Sequence, residues 1–183
     1  KLVTPGNFHR DGGLYFSDDH TTYFTEKYDE KFILKKNDQI IVMTDLSYKK
    51  LIIGNCEFVK EDNLLLNQRV SKINILKNFE NMIDRNYLRY SINSYSSRQQ
   101  TISNTTGATV YHTSPEKIGN NYMAIPPTKV KQQQISEFLD KQTKLFDKLI
   151  AKSITQIILL EEKREALITA AVTGKIDVRD TIA

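Results

Sequence analysis

The sequence predicts an α+β (mixed α/β) globular unit followed by a long C-terminal coiled-coil helix. Short apolar runs separated by turn residues fill residues 1–128 of the 183-residue chain, which is typical of mixed strands and helices. Two consecutive prolines, Pro126 and Pro127, are incompatible with a helix interior. Beyond them, apolar residues recur at helical spacing from Val130 to Val172, with charged residues between them.

The first part contains four predicted strands and one predicted helix. The strands are expected over 32–34, 39–43, 50–54 and 69–75, with a turn at 35–38. Asp84 is placed to cap a helix that runs to Tyr95, and a continuation toward Thr101 is left open. The polar segment 103–109 predicts a loop.

The apolar stripe of the last part predicts one helix that is about 63 Å long at the usual rise per residue. A unit of 128 residues cannot cover a stripe of that length, so the helix needs a second long helix from the same protein or from a partner. Gly174 predicts its end. We assign 129–176 to the helix and 177–183 to a tail. The expected packing residues are Phe138, Leu145, Leu149, Ile157, Leu160 and Leu167.

Composition limits the possible functions. The net charge is +4, and residues 1–128 and 129–183 each carry only +2, which is too little for binding to nucleic acid by charge alone. The 13 Asn and 9 Gln residues can read base edges, but such residues also occupy ordinary turns. The lone Cys56 excludes an internal disulfide framework and favours a reducing cytoplasm. A first residue other than Met predicts a fragment, either cut from a longer chain or lacking its disordered start.

Motifs for catalysis are missing from the sequence. There is no phosphate-binding loop, dinucleotide fingerprint or nucleophile elbow. The histidines His9, His20 and His112 do not have the spacing of metal ligands, so no metal site is expected. The segment 161–163 superficially resembles a nuclease element but lies within the helical repeat, where a solvated face is the simpler interpretation. A stand-alone nuclease is therefore poorly supported.

Polar side chains cluster at the predicted strand ends and around the short helix. Arg can pair with guanine and Asn or Gln with adenine, while Lys and hydroxyl groups hold phosphates. The alternative is that these are solvated loop residues, because loops are polar in any protein.

Several segments, taken in order, resemble one family. The Ile-Pro-Pro string at 125–127 leads into 134–140. The helix ends through 160–168 and the Val-Thr-Gly-Lys string within 171–176. Earlier segments contribute as well, at 3–8, 42–47, 66–69 and 106–115. Together these segments are similar to the specificity (S) subunits of type I restriction-modification systems.

The resemblance implies that 1–128 is a target-recognition domain that reads one half of a split site in double-stranded DNA. The helix would be a conserved spacer packed against a second one, from another specificity half or a homodimer. The chain would be a C-terminal half or a half-length subunit, cytoplasmic and non-catalytic. It would direct a methyltransferase (modification) subunit and a restriction/translocase subunit, which bind S-adenosylmethionine, ATP and Mg²⁺, while this chain binds no cofactor. A coiled-coil assembly protein without DNA specificity is the alternative.

The resemblance and the polar loops together give the expected DNA-binding residues. They are Arg10, Thr44, Lys49, Lys50, Asn67, Gln68, Arg69, Arg98, Gln99, Thr105, Thr106, Thr109 and His112.

Overall fold

A computed structural model describes residues 1–47 and 49–179. The described residues contain eight short strands, four α-helices and four single-turn 3-10 helices. The strands are β1 (Leu2–Val3), β2 (Ile33–Leu34), β3 (Gln39–Val42), β4 (Thr44–Asp45), β5 (Cys56–Phe58), β6 (Leu64–Leu66), β7 (Val70–Ile73) and β8 (Tyr111–His112). The helices are α1 (Arg85–Asn93), α2 (Tyr95–Ser103), α3 (Pro115–Gly119) and α4 (Lys129–Val172). The predicted fold class, an α+β unit followed by a long helix, is confirmed.

The chain divides into two compact units, Lys1–Ser136 and Glu137–Ala183, and the division falls inside α4. The assignment of 1–128, 129–176 and 177–183 to separate functional domains stays a prediction. Residues 180–183 of the predicted tail lie outside the described residues.

The first unit contains three small sheets. One has the order β1-β6-β2, with β1 parallel and β2 antiparallel to β6. The second has the order β5-β3-β7 and is antiparallel throughout. The third is an antiparallel ribbon of β4 and β8. Because β4 follows β3 after a single residue, the ribbon begins where the central strand of the second sheet ends.

The central strand β3 is buried on both faces, which explains the unbroken apolar run over 40–43. Alternate residues of a strand point to opposite faces. Ile40 and Val42 accordingly join one hydrophobic cluster with Val3 and Leu34, while Ile41 joins a second cluster on the other face. The second cluster contains the fully buried Cys56, whose thiol pKa is raised to about 12 by burial. That thiol is a packing group and not a nucleophile at neutral pH.

The predicted strand at 50–54 is wrong, because this segment is a loop and the strand lies at Cys56–Phe58 instead. Gly54 has a left-handed backbone, with φ of +75°. The amides of Ile52 and Ile53 both donate to the carboxylate of Asp45, so they cannot join a sheet ladder. The sequence analysis also missed the short strands β1, β4, β6 and β8. The other three predicted strands correspond to β2, β3 and β7.

The helix predicted from Asp84 forms as α1, and the open continuation toward Thr101 forms as a separate helix. Asp84 Oδ1 accepts from the Tyr87 amide at 2.8 Å, which is an N-cap bond. Ser94 has an extended backbone and ends α1. Its hydroxyl then caps α2 by accepting from the Ser97 amide at 3.3 Å.

One buried glutamine fixes the first turns of α4, which belong to the first unit. Gln132 is 1% exposed. Its Nε2 donates to the carbonyls of Met82 (3.0 Å) and Pro126 (2.9 Å), and its Oε1 accepts from the Asp84 amide (2.8 Å). Ser136, one turn later, donates to Asp84 Oδ1 at 3.2 Å. The cap of α1 and the entry into α4 therefore share one hydrogen-bond network.

The helix α4 is continuous over 44 residues but ends at Val172, four residues before the predicted end at 176. The amide of Gly174 donates to the Ala171 carbonyl (3.2 Å) and that of Lys175 to the Ala170 carbonyl (2.8 Å). This pattern, with Gly174 at φ of +71°, is a Schellman cap that stops the helix.

Apolar side chains on α4 are exposed in the single chain. The six predicted packing residues are each about half exposed or more: Phe138, Leu145, Leu149, Ile157, Leu160 and Leu167. Whether they pack against a second helix stays a prediction. No helix among the described residues is long and apolar enough to cross a membrane.

Candidate nucleic-acid interface

The β4–β8 ribbon brings three of the predicted DNA-binding residues together. Thr44 lies opposite His112 across the ribbon, with Thr44 Oγ1 and His112 Nδ1 3.1 Å apart. Thr106 pairs with His112 from the other side, since their backbones exchange hydrogen bonds of 2.9 and 2.8 Å. Thr44 is buried, whereas Thr106 and His112 are exposed. The exposed Thr106 and His112 are accessible to a ligand, and the hydroxyl of the buried Thr44 holds the His112 ring.

The chain that leaves β4 is folded around the carboxylate of Asp45, which is 2% exposed. We call residues 46–47 and 49–53 the Asp45 loop. Asp45 Oδ1 accepts from the Ser47 amide (2.7 Å), and Oδ2 accepts from the amides of Ile52 (2.8 Å) and Ile53 (3.3 Å). Both ends of the Asp45 loop are thereby fixed to one buried group.

A second loop, residues 104–110, lies beside the Asp45 loop, and Lys50 joins the two. Lys50 Nζ donates to Thr105 Oγ1 at 2.7 Å and to the Ile102 carbonyl at 3.3 Å. The same ammonium lies 4.4 Å from the centre of the Tyr111 ring, at cation–π distance. Two predicted residues, Lys50 and Thr105, therefore contact each other directly.

Arg98 supports the Asp45 loop from α2. Its Nη2 donates to the Leu51 carbonyl at 2.8 Å, and its buried Nε has no hydrogen-bond partner among the described residues. Burial lowers the pKa of this guanidinium, and the nearby Asp45 carboxylate opposes that shift. Arginine keeps its charge at neutral pH because its ordinary pKa is so high. Part of this side chain is thus engaged in holding the loop.

Gly107 makes the tight bend of the 104–110 loop possible. Its φ is +106°, and a Cβ added there would lie 1.9 Å from the Val110 carbonyl oxygen. We expect Gly107→Ala to lower the midpoint of thermal unfolding, with a cost of roughly 2–3 kcal/mol from the clash and the unfavourable φ. Gly119→Ala is the matched control, because nothing lies within 4 Å of a Cβ at that position. Equal midpoints for the two variants would contradict this account of the loop.

The predicted residues Asn67, Gln68 and Arg69 form a turn next to the ribbon. Asn67 Oδ1 accepts from the Arg69 amide at 2.9 Å, so this side chain braces the turn. The Arg69 carbonyl accepts from the Met43 amide (2.9 Å), and Met43, which directly precedes β4, accepts from the Thr113 amide (3.0 Å). The side chains of Gln68 and Arg69 are exposed. Backbone bonds through Met43 therefore connect this turn to the segment that follows β8.

The remaining predicted residues are exposed and lie at separate places. Lys49 belongs to the Asp45 loop, Gln99 to α2 and Thr109 to the 104–110 loop. Arg10 lies in a different turn, in which the preceding residue's carbonyl accepts from Asn55 Nδ2 at 3.2 Å. Which of the thirteen residues contact DNA stays a prediction.

Sequence reasoning missed the two residues that organise this face, Asp45 and Tyr111. The spacing of Asp45 and Ser47 is that of an Asx turn, in which a carboxylate accepts from the amide two residues later. That signal was available in the sequence. The contact between Tyr111 and Lys50 has no sequence signal, because the two residues are far apart in the chain.

The face combines exposed hydroxyl, amide and cationic groups on short, braced loops. Such groups can contact phosphates and base edges. Among the described residues, no group of three or more His, Cys, Asp or Glu side chains is arranged to hold a metal ion. The expectation that this chain binds no cofactor stays a prediction.

Comparison with known proteins identifies the family to which the chain belongs. The family model for the type I restriction modification DNA specificity domain matches residues 3–159, which is most of the chain. The chain belongs to this family, and the resemblance drawn from its sequence is confirmed.

A solved structure shares the fold. The crystal structure of a type I restriction-modification system S subunit from M. genitalium aligns with a TM-score of 0.50 and 16% sequence identity. The alignment covers 67% of this chain and 30% of that chain, so the present sequence corresponds to less than a third of that subunit. No curated protein matches the sequence.

Proposed function

We propose that the chain recognises a specific sequence in double-stranded DNA and reads one half of a bipartite site. The observation that carries this proposal is the family match over 3–159, which includes both the globular unit and most of α4. The face formed by the β4–β8 ribbon, the Asp45 loop and the 104–110 loop supplies the chemistry. Its exposed residues can contact bases and phosphates, while buried groups hold the loops in place.

The same proposal assigns catalysis to other subunits. A methyltransferase subunit would bind S-adenosylmethionine, and a restriction/translocase subunit would bind ATP and Mg²⁺. This chain would direct both to the target without a catalytic group of its own, in the cytoplasm. Its near-neutral charge is consistent with a reader whose partners contribute many of the phosphate contacts.

In this proposal α4 packs against a second long helix. The exposed apolar side chains of α4 support such a partner, because a stripe of this kind is stable in water when another helix covers it. The partner helix would come from a second specificity half or from another copy of the chain. The same stripe is the observation that favours the alternative, an assembly protein without DNA specificity.

Selection from a random pool of duplex DNA distinguishes these two functions. The chain, co-expressed with the modification subunit of its own system, is expected to enrich a defined motif. Arg69→Ala is expected to weaken binding to that motif by about 1–3 kcal/mol and to relax selectivity at one base pair if Arg69 contacts a base. The Arg69 backbone carbonyl, which braces Met43, is unchanged by this substitution.

Lys60→Ala is the control, since it removes an exposed cation outside the predicted DNA-binding residues. It is expected to keep the wild-type motif and affinity. A wild-type complex that assembles through the helix but enriches no motif would favour the assembly protein and contradict DNA recognition.

A further inference from the structure

Lys50 is half-buried, and its ammonium is already engaged by the protein. An ammonium group carries three N–H donors. Two acceptors, Thr105 Oγ1 and the Ile102 carbonyl, lie 2.7 and 3.3 Å from Lys50 Nζ. The centre of the Tyr111 ring lies 4.4 Å from the same atom, at cation–π distance. A DNA phosphate would have to compete with these contacts for the same charge.

The acceptor of this bond is engaged as well. Thr105 Oγ1 accepts from Lys50 and donates its own proton to the Ile102 carbonyl at 2.8 Å. Lys50 and Thr105 thus form a closed arrangement at the C-terminal end of α2, in which each polar group has a partner.

The backbone at Lys50 adopts a conformation that other contacts must maintain. Its φ is +51°, in the left-handed region that residues other than glycine seldom occupy. Its amide donates to the Ser47 carbonyl at 2.9 Å, between the two ends of the loop that Asp45 fixes. Such a conformation persists when the surrounding structure determines it, as the Asp45 network does here.

We propose that Lys50 is a positioning residue, which clamps the Asp45 loop to the 104–110 loop so that both present one fixed surface to DNA. This proposal deepens the proposed function and rests on it. The sequence-based prediction placed Lys50 among the DNA contacts, whereas the geometry points to a contact between loops. The selectivity of the reader then depends on the Lys50–Thr105 link, although neither side chain contacts a phosphate.

The test compares Lys50→Met, Thr105→Val and the double variant in complex with the modification subunit. Each is measured for affinity to the enriched motif and to random duplex over a range of salt concentrations. Each single variant is expected to lower the ratio of specific to non-specific affinity about tenfold, and the double variant no further, because either change breaks the same link. Lys60→Met, which also removes one positive charge, is expected to leave the ratio unchanged.

The dependence of affinity on salt separates a clamp from a phosphate contact. Loss of one phosphate contact lowers the slope of log affinity against log salt by about 0.9. For Lys50→Met we expect the wild-type slope. Three results would each overturn the proposal. One is a slope lowered by that amount together with an equal loss of affinity for all sequences. The others are an unchanged ratio of specific to non-specific affinity and losses of affinity that multiply in the double variant.

A second readout needs no DNA. Amide hydrogen exchange in 104–110 of the intact chain is expected to accelerate in Lys50→Met and to stay at the wild-type rate in Lys60→Met. Unchanged exchange in Lys50→Met would overturn the clamp. If the wild-type complex enriches no motif while this acceleration is observed, the proposed function fails and the link between the loops stands.

Discussion

Asp45→Ala is expected to destabilise the globular unit by about 3 kcal/mol, because it removes one buried acceptor that serves three backbone amides. The amides of the half-buried Ser47 and Ile52 and of the buried Ile53 would lose their partner. Arg98 would also lose the nearby negative charge that favours its ionised form. Chemical denaturation followed by far-UV circular dichroism measures this loss.

The controls for Asp45 separate the buried network from a general loss of a carboxylate. Asp19→Ala removes an exposed acidic side chain and is expected to change the free energy of unfolding by less than about 0.5 kcal/mol. Asp45→Asn keeps one acceptor oxygen and is expected to fall between Asp45→Ala and wild type. Equal stability of Asp45→Ala and Asp19→Ala would show that the carboxylate does not organise the loop.

Gln132→Ala is the second substitution with a large expected effect. Three backbone groups would lose the buried Gln132 side chain as their partner, namely the Asp84 amide and the carbonyls of Met82 and Pro126. Because each hydrogen bond contributes about 0.5–1.5 kcal/mol, we expect the loss of three to lower the free energy of unfolding by about 3 kcal/mol. The same denaturation measurement applies.

Two further variants sharpen this prediction. Gln134→Ala changes an exposed glutamine two residues along the same helix and is expected to be nearly neutral. Gln132→Glu can still accept from the Asp84 amide, but it cannot donate to the two carbonyls and buries a charge. We therefore expect it to be at least as destabilising as Gln132→Ala. A stable Gln132→Glu variant would contradict the assigned hydrogen bonds.

Local signals in the sequence predicted much of the architecture. The continuous apolar run of β3, the Asp84 cap and the unbroken apolar repeat of α4 each depend on residues close together in the chain. The double proline marked the boundary before α4 because proline excludes a helix interior. The end of α4 was placed four residues late, since a glycine cap stops the regular helix before the glycine itself.

Features that depend on distant residues could not be predicted in the same way. The segment 50–54 has the composition of a strand, but two of its amides donate hydrogen bonds to the Asp45 carboxylate instead of to a neighbouring strand. Three glutamines follow one another at 132–134, and only Gln132 is buried, because the packing of the first unit sets which side of the helix is covered. Whether Lys50 and Arg98 contact a ligand at the surface or brace a loop likewise depends on the loops that surround them.

In the proposed function, this chain specifies a DNA sequence for a modification enzyme. Sequencing of methylated bases in the source cell, with the gene intact and deleted, tests it most directly. We expect base methylation at one bipartite motif to disappear on deletion and to return when the gene is restored. A methylation pattern that is identical with and without the gene would contradict the claim.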